Sequence, residues 1–152
     1  MVLKAHEATP VTASEFCKAV EEAEIPAGVI NLVSGAGIEV SSQLVTHPLT
    51  RLVSLTGSTR AGQAIYKASS ENVSGLVLEL GGKAAFIVLE DADIDKAAEA
   101  AVTSRYANCG QVCICNELVL VEASVAEEFT QKVIEKVQKI RVGDPMTDVD
   151  MS

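Results

Sequence analysis

Residues 108–115 read Asn-Cys-Gly-Gln-Val-Cys-Ile-Cys, which places Cys109, Cys113 and Cys115 within one short segment. Three kinds of chemistry fit such a segment. The thiols could ligate a metal, but on a helix only Cys109 and Cys113 would share a face. Only His6 and His47 could add imidazole, and no two cysteines have the two-residue spacing of a zinc knuckle. The thiols could also be buried as small apolar side chains. Or one of them is an activated thiolate nucleophile, with Gly110 and Gln111 letting backbone donors approach a reacting carbonyl. Spacing alone does not select Cys113 over its neighbours.

Glu79 is the second residue suited to chemistry. It lies between Leu78 and Leu80, just before Gly81-Gly82. A carboxylate at the end of an apolar strand is partly desolvated, which suits it to act as a base. The plainer alternatives are the polar face of a strand or a salt bridge to Lys83. Gly57-Ser58-Thr59-Arg60-Ala61-Gly62 has the glycine spacing of a phosphate loop, but Gln63 stands where the phosphate-binding Lys belongs. A strand–Gly–Ser–helix junction still offers free N–H groups and a positive dipole end to a phosphate, and it equally fits an ordinary helix cap. Gly35-Ala36-Gly37 starts a dinucleotide fingerprint whose third glycine is replaced by Val40, so it reads as a turn.

The elements that must hold these residues alternate. Thr12-Ala13-Ser14-Glu15 matches a capping box, followed by Phe16, Ala19, Val20 and Ala23 at helical spacing, and Pro26 and Gly28 stop that helix. Val29–Val33 reads as a strand, residues 38–46 as a helix and Arg51–Leu55 as a strand. A helix then runs to about Ser70, and Leu76–Leu80 and Ala85–Leu89 are strands. Asp91-Ala92-Asp93 caps an alanine-rich helix over residues 94–106, and Leu118–Val121 is a further strand. Ser124–Glu127 matches a second capping box, ahead of a stripe formed by Phe129, Val133, Val137 and Ile140. Strands alternating with helices predict an α/β fold, a Rossmann-like and largely parallel sheet with helices on both faces. Ligands of such folds sit beyond the C-terminal strand ends, where the glycine-rich segments after Val33, Leu55 and Leu80 lie.

Composition narrows the function classes. The 152 residues are 48% hydrophobic and 22% charged, enough apolar surface for a packed domain. The net charge of −9 argues against nucleic acid or anionic membrane as partner, and aromatics at 3% leave no stacking platform for bases. No apolar run approaches the ~18 residues of a membrane span. The first residues lack a signal-peptide core, so a cytoplasmic location is expected.

Five segments in order resemble the NAD(P)-dependent aldehyde dehydrogenase superfamily. They are Lys4-x-x-Glu7-x-Thr9-Pro10, Pro26-x-Gly28-Val29-Ile30-Asn31, Thr56-Gly57-Ser58-Thr59-x-x-Gly62, Leu78-Glu79-Leu80-Gly81-Gly82-Lys83 and Gly110-Gln111-x-Cys113. Within the superfamily, residues 110–117 look most like lactaldehyde and glycolaldehyde dehydrogenases, with succinate-semialdehyde dehydrogenase a close competitor. The resemblance implies roles. Cys113 attacks an aldehyde to give a thiohemiacetal, hydride loss leaves a thioester, and Glu79 activates the hydrolytic water. The Cys113 N–H is one oxyanion donor. Gly57 and Ser58, with Gly62 and Leu80 in the same two segments, serve the coenzyme pyrophosphate side, and Lys4 and Glu7 the adenosine ribose. Glu7 accepting from ribose hydroxyls and repelling a 2′-phosphate favours NAD over NADP. The coenzyme-binding part is expected over 1–107 and the start of the catalytic domain over 108–152.

Leu118 replaces a usual Arg, and His6 stands where a small hydroxyl residue is common. Cys109 is near enough in sequence to Cys113 for a disulfide to be considered. The chain is much shorter than a family subunit. The resemblance places the second oxyanion donor, the nicotinamide-ribose Glu and the oligomerisation arm of a homo-oligomer outside it. Losing one oxyanion donor costs roughly 10²–10³ in rate, so little dehydrogenase activity is expected of the isolated chain. The competing functions are a non-catalytic nucleotide-binding or interaction module, and a thiol redox or metal protein. No metal ligand set is assigned.

Overall fold

The computed structural model describes residues 1–152, which form two compact units, Met1–Leu80 and Gly81–Ser152. The boundary falls in the turn after β4, whereas the division expected at residue 107 separates coenzyme from nucleophile segments. Every named strand pairs in parallel, as β1 with β2, β3 with β4 and β5 with β6. A parallel pair needs a crossover, and each pair here is closed by a helix.

The first unit contains β1 (Val2–Lys4), α1 (Pro10–Glu22), β2 (Asn31–Val33), α2 (Gly37–Thr46), β3 (Leu52–Thr56), α3 (Thr59–Ser69) and β4 (Gly75–Glu79). The strand β1 carries no alternation long enough to announce it, and its existence depends on β2, with Leu3 opposite Leu32 and Lys4 opposite Val33. The helix α1 starts earlier than the Thr12–Glu15 box suggests. Thr9 is its N-cap without a side-chain bond, and Pro10 opens it, where a missing N–H costs nothing. Glu15 is then inside the helix and pairs with Lys18 at 2.7 Å. Ser58 caps α3 by accepting from the Ala61 N–H at 3.1 Å. Ala5 and Val45 are the buried apolar residues of this unit. A cavity of about 410 Å³ opens between β1 and β3, lined by Leu3, Lys4, Leu44, Val53, Leu55 and Ile65 among others.

The second unit contains β5 (Ala84–Val88), α4 (Ile94–Tyr106), a 3₁₀ turn (Ala107–Gly110), β6 (Asn116–Val121) and α5 (Ala126–Val137). Asp93 caps α4 as its sequence promises, accepting from the Lys96 N–H. The second capping box is not made. The helix α5 starts after Val125, whose N–H closes a turn onto the Glu122 carbonyl. Val88, Ala98, Ala101 and Phe129 form a core, with Phe86, Ile94, Val121 and Val133 packed against it. The alanines on α4 leave room for the Phe129 ring. Lys132 and Lys136 of α5 clamp the rim by pairing with Asp95 at 2.9 Å and Glu99 at 2.7 Å. In both units alternate strand residues stay exposed, including Leu52 and Ile87. No helix is long and apolar enough to cross a membrane.

Candidate active site

Two clusters form at C-terminal strand ends of the first unit. In the parallel β1–β2 pair, the loop after Lys4 and the loop after Val33 leave side by side. Lys4 and Glu7 come together there, Nζ to Oε2 at 3.8 Å. The same Oε2 lies against Gly37, the first residue of α2, only 2.7 Å from where a Cβ would stand. Gly35 is held at φ +144° with its missing side chain against Val40, so the Gly35–Gly37 segment is a tight turn, as read from sequence.

The second cluster gathers Gly57, Ser58, Gly62, Glu79 and Leu80. Thr56 is in register with Glu79, and the Gly57 N–H donates to the Glu79 carbonyl at 2.9 Å. Gly62 is buried and packs against the Leu80 side chain, which a Cβ at residue 62 would meet at 2.8 Å. The Ser58 hydroxyl is spent on the helix cap and its carbonyl on the Gly62 N–H. The Thr59 and Arg60 N–H groups of the first turn have no acceptor in the chain. A turn with no side chain at Gly57, followed by open N–H groups at a helix start, fits a diphosphate. Glu79 itself is exposed, so the desolvation expected of it does not occur within this unit. In the second unit, Lys83 pairs with Glu117 at 3.7 Å.

The second unit separates the three clustered thiols. Cys113 is exposed, Cys109 is half-buried and Cys115 is buried. All four cysteines are thiols, and no three His, Cys, Asp or Glu side chains converge as metal ligands. Asn108, Cys109 and Gly110 have φ of 49°, 57° and 74°, three left-handed residues in succession. Glycine and, among the others, asparagine adopt this region readily, so the strain falls on Cys109, and strain of this kind persists where surrounding contacts enforce it. Those contacts are visible. Asn116 is buried, donates from Nδ2 to the Ala101 carbonyl at 3.2 Å and accepts from Ser104 Oγ at 2.6 Å. Arg105 bonds Glu117 at 2.7 Å, which with Lys83 nearby holds the Glu117 carboxyl below the usual carboxylate range. The start of β6 is therefore bolted to the end of α4, and the loop between them must turn sharply. Gly82 passes so close that a Cβ would stand 2.6 Å from the Cys113 carbonyl oxygen. The Cys113 N–H donates to no acceptor in the chain, which leaves it open toward a bound oxyanion.

Sequence reasoning missed Asn116 and read Gly37 only as part of the Gly35–Gly37 turn. Asn116 carries a signal in being a polar residue at the head of an apolar strand. The contact of Gly37 with Glu7 carries none, because it arises only when two loops meet.

The sequence matches the Aldehyde dehydrogenase family over residues 1–152, and the chain belongs to that family. It is 50% identical to 3,6-anhydro-alpha-L-galactose dehydrogenase of Vibrio sp. (strain EJY3), over 96% of this chain and 30% of that protein. It is 41% identical to D-glyceraldehyde dehydrogenase (NADP(+)) of Picrophilus torridus, over 95% of this chain and 29% of that protein. The crystal structure of lactaldehyde dehydrogenase from Escherichia coli superimposes with a TM-score of 0.93 at 41% identity, covering 99% of this chain and 32% of that one. The chain thus spans about a third of the length of the curated relatives it matches.

Proposed function

We propose that these residues are part of a nicotinamide-dependent dehydrogenase that oxidises an aldehyde to a carboxylate, with Cys113 as nucleophile. The observation that carries the reading is Cys113 itself, an exposed thiol whose own N–H is unpartnered, on a loop that buried contacts hold in a left-handed turn. The thiolate adds to the carbonyl carbon, and the oxygen that gains charge is met by the Cys113 N–H. Glu79 serves as general base for the water that releases the acid from the Cys113 thioester. When bound, the nicotinamide coenzyme supplies the hydride acceptor. The chain's own part is to hold it, with Thr59 and Arg60 N–H groups toward the diphosphate and Lys4 and Glu7 toward the adenosine ribose.

Glu7 favours NAD, since a carboxylate accepts from a ribose diol and repels a 2′-phosphate. The names of the relatives support aldehydes of small sugars and hydroxy-aldehydes as the substrate class. The test uses a polypeptide of the relatives' length that contains this segment. Cys113→Ala abolishes aldehyde-dependent NADH formation while NAD binding persists, and Glu79→Gln slows thioester release. Retained turnover in Cys113→Ala would refute the assignment.

A further inference from the structure

Gly81 and Gly82 are adjacent glycines with unlike surroundings. A Cβ on Gly81 would meet nothing within 4 Å. A Cβ on Gly82 would stand 2.6 Å from the Cys113 carbonyl oxygen and 3.7 Å from its carbon, well inside van der Waals contact. Neither glycine has φ in the left-handed region, so conformation requires glycine at neither position. Space requires it at 82 alone. The obstacle there is main chain, and both sides of the contact are held. Ala84, two residues on, is in register with Asn116, and Lys83 pairs with Glu117 at 3.7 Å. The register then passes from Asn116 to Leu118, which leaves Glu117 as the extra residue of a bulge, bonded to Arg105 at 2.7 Å. On the facing side, the Cys115 N–H closes a turn onto the Val112 carbonyl at 3.0 Å, and Cys115 and Asn116 are buried. Gly82 therefore abuts the Cys113–Ile114 peptide, the middle unit of a turn anchored at its exit.

We propose that Gly82 is a positioning residue for the nucleophile, seating the Cys113 carbonyl so that the Cys113 thiol and N–H meet one substrate carbonyl together. This rests on the reading of Cys113 as nucleophile and adds to it a residue outside the nucleophile loop. A methyl group at 82 drives the Cys113 carbonyl oxygen away. With the turn held at its exit, the displacement is taken up by rotation at Cys113, the residue from which both the thiol and the oxyanion donor project. A thiolate attacking an acyl carbon needs both groups in place, because charge gathers on the acyl oxygen as the S–C bond forms. A thiolate displacing iodide from a saturated carbon needs the sulfur alone, since no oxyanion forms. Two reactions at one atom therefore separate positioning from exposure.

The experiment treats the 152-residue chain, as wild type, Gly82→Ala and Gly81→Ala, with p-nitrophenyl acetate and, separately, with iodoacetamide. Initial rates at Cys113 are read by mass spectrometry. In the first reaction the Cys113 thiolate bonds to the acetyl carbon and p-nitrophenolate leaves. In the second it bonds to the methylene carbon and iodide leaves. Circular dichroism and slow alkylation of the buried Cys115 show that each chain is folded. Gly82→Ala is expected to lower the ratio of acylation to alkylation about tenfold, the scale of a sub-ångström misplacement of reacting groups. Gly81→Ala is expected to leave the ratio within about twofold of wild type, as an exposed substitution into open space does. An unchanged ratio in Gly82→Ala, or an equal fall in Gly81→Ala, would overturn the role of Gly82 while leaving the nucleophile reading standing. Loss of fold in Gly82→Ala beside a folded Gly81→Ala would overturn it too, because Gly82 would then serve the fold. A wild-type chain whose Cys113 has the same ratio as free cysteine would overturn the nucleophile reading and this proposal together.

Discussion

The two compact units hold helices against parallel strands by different means. Residues 81–152 close a core around Val88, which is 1% exposed, and lock it with Phe129 and two alanines. Residues 1–80 bury little beyond Ala5 and Val45 and keep a cavity between β1 and β3. The candidate site residues divide along the same line. Those with open N–H groups, glycines and an exposed carboxylate lie in the looser unit, while the Cys113 thiol follows the left-handed Asn108–Gly110 turn in the tighter one. Strain needs a rigid frame to persist, and a ligand crevice needs backbone left unpaired.

The sharpest way to break this comparison is to delete one phenyl ring from each unit. Phe129 is 5% exposed and Phe16 is 47% exposed. Phe129→Ala is expected to cost about 3–5 kcal/mol in urea unfolding, and Phe16→Ala about 0.5 kcal/mol or less. Equal losses would mean that the first unit has a core of the same quality. Next in size is Ser104→Ala, which leaves the buried Asn116 Oδ1 without its donor and is expected to cost about 1–3 kcal/mol. The turn at Asn108–Gly110 should relax with it, seen as faster alkylation of buried Cys115 by mass spectrometry. An unchanged Cys115 rate would show that Asn116 does not hold the loop.

Ser58→Ala removes the cap of α3, and a loss of about 1 kcal/mol is expected, with faster amide exchange in the first turn of α3 as the local readout. The smallest effect is acidic. Arg105 holds the folded Glu117 carboxyl below its ordinary value of 4.5, so its contribution is present above that pH and fades as pH falls through the lower folded value. Thermal melts of Glu117→Gln should therefore differ from wild type near neutrality and converge with it in acid. A gap that widens on acidification would give the opposite sign.

Much of this frame was legible in the sequence. The helix over 94–106 follows from the Asp93 cap and its alanines, and the glycine turn before α3 from a serine placed to cap it. The parallel pairing follows from strand–helix alternation. What misled was local matching without context. Thr12–Glu15 and Ser124–Glu127 both satisfy the capping template, yet Pro10 and the Glu122–Val125 turn set the real helix starts. The strand β1 was invisible because three residues carry no period. Spacing also could not choose among the thiols. Burial separates Cys115 from Cys113, and the neighbouring Asn116 reaches back to the Ala101 carbonyl on α4, a contact that period and motif matching do not show.

The central claim is that the coenzyme-binding groups lie in residues 1–80 and the nucleophile beyond them. Calorimetric titration of the whole chain with NAD tests it most directly, comparing wild type with Glu7→Ala and Cys113→Ala. Saturable binding that Glu7→Ala weakens and Cys113→Ala leaves unchanged is the predicted result. No heat of binding from a folded chain, or an equal loss in both variants, would contradict it.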